Sequence, residues 1–102
     1  MVYIHYQDKR DSNLADDLVR SLTDSGYRVP GKELVVQRTS GDVRFFHLEE
    51  RDQADHIARL VQEFAKKRGR DLNLDSLFAG RTFPNVPRGL FEVWIPASTS
   101  QP

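Results

Sequence analysis

The sequence predicts an α+β fold of two layers, a sheet with helices on one face, in the order β-α-β-β-α-β. Three observations carry this. "VYIHY" (2–6), "DVRFFH" (42–47) and "LFEVWI" (90–95) alternate sides with a period of two and are rich in β-branched and aromatic residues, as half-buried strands are. Two longer stretches repeat apolar residues every three or four positions, the spacing of amphipathic helices. Between these segments stand "VPGK" and "TSGD", both dense in turn residues.

In the first strand Val2, Ile4 and Tyr6 share one side, Tyr3 and His5 the other. "QDKRD" is a polar connection, and Asp11 or Ser12 is placed to cap the helix that follows. Leu14, Ala15, Leu18, Val19 and Leu22 form that helix's apolar stripe, opposite Asp16, Asp17, Arg20 and Asp24, and Gly26 stops it. "YRVPGKELVVQR" reads as extended chain interrupted by a Pro-Gly turn, its best strand running from Glu33 to Arg38. "TSGD" then predicts an antiparallel hairpin between that strand and 42–47.

A second helix is expected from about Glu49 to Arg68, its apolar side carrying Ala54, Ile57, Ala58 and Val61. Glu49, Glu50 and Asp52 sit in its first turn and Lys66, Lys67 and Arg68 in its last, matching the helix dipole at both ends. "DLNLDSLFAG" reads as a short helical turn with Leu74, Leu77 and Phe78 on the core, and "RTFPNVPRG" as a loop before the last strand. The order is that of a ferredoxin-like βαββαβ sandwich, a mainly antiparallel four-stranded sheet with two helices on one face. In that layout the first and third strands lie side by side at the centre and the other face stays open. Residues 1–96 are read as one domain and 97–102 as a flexible tail. With a strand expected from Val2 no signal peptide is read, and the start fits a domain cut from a longer chain as well as a complete small protein.

The 15 basic and 15 acidic residues cancel, which argues against bulk attraction to nucleic acid or anionic membrane. No cysteine is present, so disulfides, thiolate chemistry and cysteine zinc sites are excluded while the compartment stays undecided. No apolar run approaches the ~18 residues of a membrane span. Phosphate-loop, dinucleotide, nucleophile-elbow and zinc-protease motifs are all missing, so no enzyme and no cofactor is expected. His5, His47 and His56 lack helical ligand spacing. His5 and His47 on neighbouring strands, with Asp52 or Glu50, are the sole route to a metal, and surface histidines that bind nothing are commoner.

With Val2, Ile4, Tyr6, Val43, Phe45, Phe91, Val93 and Ile95 turned to the helices, alternation sends Tyr3, His5, Arg44, Phe46, Glu92 and Trp94 to the far face. Tyr3, His5, Arg44, Phe46 and Trp94 are therefore the candidate binding residues, an aromatic and charged platform suited to sugar rings, bases or peptides. Two other accounts stand beside it. The segment 70–89 folds over the face and makes a second core, or the aromatics are cross-strand pairs worth ~0.2 to 1 kcal/mol each. "KKRGR" offers Lys66, Lys67, Arg68 and Arg70 as an anion contact, against the plainer reading of a solvated helix end. The aromatic strand signature of RNA-recognition modules is not matched by "DVRFFHLE".

The passages "VYIHY", "NLADDLVRSLTDSGYRV" and "TSGDVRFFHLEERDQADHIARL" resemble the C-terminal domain of LytR-type cell-envelope proteins and, more loosely, sporulation-related (SPOR) repeats, over residues 2–64. Val43, Arg44, Phe45 and Ala54 stand where that family has a Val-Arg-Tyr/Phe strand leading through an acidic turn into a helix with inner alanines. The first loop, "YQDKRDS", lacks the family's Asn and Gly, and "FEVWIP" has no counterpart. The resemblance implies an accessory, noncatalytic domain in the cell envelope, with SPOR repeats holding peptidoglycan on their sheet face. The expected function is a binding module for cell-wall glycan or a protein partner. The alternative is a homodimerisation or intramolecular docking domain, and nucleic-acid binding stands third.

Overall fold

Alternation in "VYIHY" produces β1 (Val2–Tyr6), with Val2, Ile4 and Tyr6 buried and Tyr3 and His5 half-buried behind them. The computed structural model describes residues 1–98, and every count and absence below refers to those residues. A short 3-10 turn (Lys9–Asp11) follows, capped by the Asp8 carboxylate, which accepts from the Arg10 backbone N–H. It leads into α1 (Ser12–Asp24), which buries Ala15, Leu18 and Leu22. Asp11 holds the N-cap position of α1 but makes no cap bond, because its side chain is turned to Arg70. Gly26, at φ +98°, then turns the chain in a conformation that other residues rarely adopt.

The chain returns as β2 (Gly31–Leu34), parallel to β1. After β3 (Asp42–Phe45) and a 3-10 turn (Leu48–Glu50), α2 (Arg51–Lys66) crosses to β4 (Asp75–Phe78), which is parallel to β3. Each helix thus joins two neighbouring parallel strands, the connection that parallel pairing requires. β5 (Phe91–Ile95) enters the gap between the two β-α-β units, parallel to β1 and antiparallel to β3.

The result is a five-stranded mixed sheet in the order β2-β1-β5-β3-β4, with both helices on one face. Two layers and two helices agree with the sequence reading. The mainly antiparallel, four-stranded ferredoxin-like sheet does not, and is corrected. β1 and β3 are not neighbours, since β5 separates them. The expected hairpin is absent among the described residues: β2 ends at Leu34 and pairs with β1, not β3. "TSGD" still turns, with the Thr39 hydroxyl accepting the Gly41 N–H and donating to Asp42, but it joins strands from opposite halves of the sheet. The expected helical turn at 71–80 contains β4 instead. Leu74 is buried and Phe78 packs on the core, whereas Leu77 faces away and is exposed.

The core is continuous. Val2, Ile4, Val43, Phe45, Phe91, Val93 and Ile95 are wholly buried against Leu18, Leu22, Ile57 and Val61. Every residue assigned to the helix side by alternation is there. At the C-terminal end, the Ala97 N–H donates to the Gln7 side chain at 3.2 Å, and residues 99–102 of the predicted tail lie outside the described residues.

Candidate functional site

β5 is the middle strand, and this puts Trp94 at the centre of the helix-free face. From β1, the His5 imidazole stacks on the indole with centroids 4.5 Å apart and planes 6° from parallel. From β3 on the other side, the Arg44 guanidinium lies 3.9 Å from the indole centroid. Both edges of this stack are tied down. Trp94 Nε1 donates to Glu92 Oε1 at 2.9 Å, and Arg44 Nε donates to Asp42 Oδ1 at 2.9 Å, whose other oxygen accepts from Thr39. A charged and aromatic layer of this kind is held by cation–π and ring contacts together with its hydrogen bonds.

The segment after β4 lies across part of this face. Phe83 meets Phe46 edge-on at 6.4 Å, and the Val86 carbonyl accepts a hydrogen bond from His47 Nε2 at 2.8 Å. Arg88 pairs with Glu49, the Gly89 N–H donates to Glu50 Oε2 at 2.8 Å, and the N-terminal ammonium donates to the Gly89 carbonyl at 2.6 Å. This strap, residues 79–90, is fastened at both its middle and its end.

The expectation of an open face is therefore corrected. Phe46 and Trp94 are each only 6% exposed, while Tyr3, His5 and Arg44 are half-buried. His5, Arg44 and Trp94 come together as one stack, and Phe46 belongs to the contact under the strap. Tyr3 lies apart, in what the strap leaves uncovered. That remainder is a groove of 580 Å³ between the strap and β2, lined by Tyr3, His5, Pro30, Glu33, Val86, Pro87, Leu90 and Glu92, with Ile4, Gly31 and Lys32 at its base and rim. His5 Nδ1 has no hydrogen-bond partner and stands 4.0 Å from Glu33 Oε1. Alternation already puts Glu92 on this face, whereas Glu33 and Pro87 escaped the sequence reading. Alternation does place Glu33 beside His5 once the β1–β2 register is known, but no local signal brings residue 87 to residue 3.

The basic run does not act as one patch. Arg70 Nη1 donates to Asp11 at 2.6 Å and its Nη2 to the Pro96 carbonyl at 2.6 Å. Arg68 Nε donates to Asp17 at 2.7 Å, and this hydrogen bond holds the Asp17 carboxyl below its ordinary range. Lys66 and Lys67 are left exposed at the end of α2. Arg70 lines a wider depression of 1180 Å³ with Gln7, Arg38, Ser40 and Asn73, where the ends of β1, β2 and β5 meet the starts of β3 and β4. Its most enclosed cation is thus already committed to protein partners. The groove beside Tyr3 is smaller and its lining is more apolar.

Among the described residues no group of three His, Asp or Glu side chains is placed to hold a metal ion. His47 is bound to Val86 and His5 to Trp94, so the two do not converge on a site. No helix among the described residues is long and apolar enough to cross a membrane. Comparison with protein-family models, with curated proteins and with solved structures finds no match.

Proposed function

We propose that this chain is a noncatalytic binding module that contacts a protein partner or cell-wall glycan on its helix-free sheet face, at the groove between the strap and β2. The observation that carries the reading is the groove itself. On a face otherwise sealed by the strap and the Trp94 stack, it keeps an aromatic side chain, two prolines and two carboxylates together around 580 Å³. Pockets of that size, mostly apolar with a few polar groups, are where ligands are held. Placement in the cell envelope, as an accessory domain, rests on the LytR-type resemblance of residues 2–64.

The test is a titration of isotope-labelled protein, followed by amide chemical shifts, with N-acetylglucosamine oligosaccharides and with extended peptides. Shifts clustered at Tyr3, Glu33 and Glu92, with at least tenfold weaker binding in Tyr3→Ala, are expected. Shifts confined to other surfaces, or none at millimolar ligand, overturn the reading.

A second reading is association through the edge of the sheet. It is favoured by Leu34 and Val36, which are 49% and 93% exposed at and just beyond the end of β2. Sedimentation velocity separates the two: a dimer at micromolar concentration supports association, and a monomer supports ligand binding. Nucleic acid is disfavoured by the neutral net charge and by the commitment of Arg68 and Arg70 to carboxylates.

A further inference from the structure

β2 is the outermost strand on its side of the sheet and pairs only with β1. Its free side can be read from one bond. The Val35 N–H donates to the Tyr6 carbonyl of β1 at 2.9 Å. Along a strand the backbone groups alternate sides, so Gly31 and Glu33 point their N–H and C=O to β1 with Val35. Lys32 and Leu34 then turn theirs outward. Among the described residues, neither makes a backbone hydrogen bond on that outer side. Natural edges are usually blunted by an outward lysine, but Lys32 is not available for this. Its Nζ is drawn to α1, donating to Ser12 Oγ at 2.7 Å and pairing with Asp16 at 2.8 Å.

The groove opens onto the same edge. Gly31 lies opposite Tyr3 in the register and is part of the groove. A β-carbon built at Gly31 would meet nothing within 4 Å, so a glycine here leaves the path from the edge to Tyr3 clear. The charges facing that path are Glu33 and Glu92, with the His5 ring beside Glu33. Arg44, opposite Glu92 in the register, is bonded to Asp42 and stacked on Trp94, and Lys32 is held on the helix side, so neither forms an ion pair with Glu33 or Glu92 among the described residues. The remaining wall is Pro30, Val86, Pro87 and Leu90, which suits the aliphatic stem of a long side chain.

We infer that the free edge of β2 takes an extended basic peptide as a sixth strand, with one Lys or Arg side chain crossing Gly31 to lie against Tyr3 and Glu33. Main-chain bonds to Lys32 and Leu34 supply the affinity, and the groove supplies the preference for a cation, the division of labour seen in strand addition to sheet edges. A carboxylate and an aromatic ring together favour a cationic group over a neutral one. Exposed Leu34 and Val36 give apolar contacts to the neighbouring residues of the added strand. The inference rests on the binding-module reading and names its ligand class.

The test uses the whole chain and three pools of capped octapeptides of alternating Thr and Val, with Lys, Gln or Glu fixed at a central position. Fluorescence anisotropy should rank the Lys pool at least tenfold tighter than the Glu pool. Amide hydrogen exchange should slow at Lys32 and Leu34 when the Lys pool is present. Glu33→Gln should abolish the ranking. Gly31→Leu, which fills open space, should weaken the Lys pool tenfold or more with an unchanged melting temperature. Equal binding of the three pools, or protection at β4 instead of β2, overturns the inference. Oligosaccharide shifts in the groove with no peptide binding also overturn it, while leaving the binding-module reading intact. Protection of Lys32 and Leu34 by protein concentration alone, with a dimer in sedimentation, overturns both.

Discussion

The imidazole of His5 lies flat against the indole of Trp94, 4.5 Å between centroids and 6° from parallel. The contact joins β1 to β5, and Arg44 continues it to β3, so a single side-chain layer spans the three middle strands. Trp94 is its centre and is almost wholly covered. Trp94→Ala should therefore unfold the domain more readily, by ~3 to 5 kcal/mol, the usual cost of removing a buried large aromatic. Trp94→Phe keeps a ring but loses the hydrogen bond to Glu92, and should cost about 1 kcal/mol. Urea denaturation measures both. Near-neutral stability of the alanine variant would show that the stack is decoration on the sheet. Because the monomer already buries its one tryptophan, blue-shifted emission is expected without any dimer.

The two arginines of "KKRGR" and the two lysines should behave differently. Arg70 and Asp11 have side chains only 18% and 11% exposed and are bonded to each other. Asp11→Ala leaves a largely enclosed guanidinium with one carbonyl partner. A loss of ~3 kcal/mol is expected, the lower end for breaking a buried pair because both retain some water contact. Lys66→Gln with Lys67→Gln should cost a few tenths of a kcal/mol, from weaker interaction with the α2 dipole. Chemical denaturation at neutral pH separates the two variants, and equal losses would contradict this division.

Asp8 gives a pH dependence with a definite sign. Its carboxyl is lowered from 3.8 to about 2, first by the side-chain hydrogen bonds from Arg10 and next by the Arg10 backbone N–H. A group depressed in the folded state stabilises it above the unfolded value, and that stabilisation is lost as pH falls toward the folded one. The window is thus from about pH 4 down to about pH 2. The Asp8→Asn stability curve should lie below that of the native chain at neutral pH and approach it across this window. In Arg10→Ala the Asp8 carboxyl, followed by NMR, should titrate higher than in the native chain, with the part of the depression due to the backbone N–H of residue 10 retained. An unmoved titration would assign the shift to something other than Arg10.

What the sequence made legible was local. Alternation within five residues sorted Val2, Ile4 and Tyr6 from Tyr3 and His5 correctly, because a strand has only two sides. Spacing of three and four likewise found Leu18, Leu22, Ile57 and Val61. Strand order was not legible, since β-α-β segments of the same length serve both a split ferredoxin-like sheet and adjacent parallel pairs. The choice lies in whether β5 enters between β1 and β3, a contact between residues some fifty to ninety positions apart. β4 was missed for a different reason. "DSLF" is too short to show a period, and its one exposed apolar residue, Leu77, looked like part of a helical stripe. The site suffered from both limits. Tyr3, His5, Arg44, Phe46 and Trp94 were placed on the right face, but the strap that covers Phe46 is a Pro-containing loop with no periodic signal.

Gly80 is where the strap leaves the sheet, and its lack of a side chain is what lets it do so. A β-carbon there would stand 2.3 Å from the Phe46 carbonyl oxygen and 2.7 Å from the Phe78 ring. The ring can shift more easily than the backbone oxygen, because Phe46 directly follows Phe45, which is paired with Phe78 and accepts the Ala79 N–H. Gly80→Ala must then push the strap away from Phe46, loosening Phe83 and the bond between Val86 and His47 that lie downstream. Overpacking of this kind costs ~1 to 3 kcal/mol. The expected result is a destabilised but folded protein whose Phe46 side is more accessible, seen as faster amide exchange across 79–90 with β1 and β5 protection retained. Gly31→Ala is the control, since nothing lies near its β-carbon, and it should change neither stability nor strap exchange. If Gly80→Ala exchanges like the native chain, the strap is not anchored by this close approach.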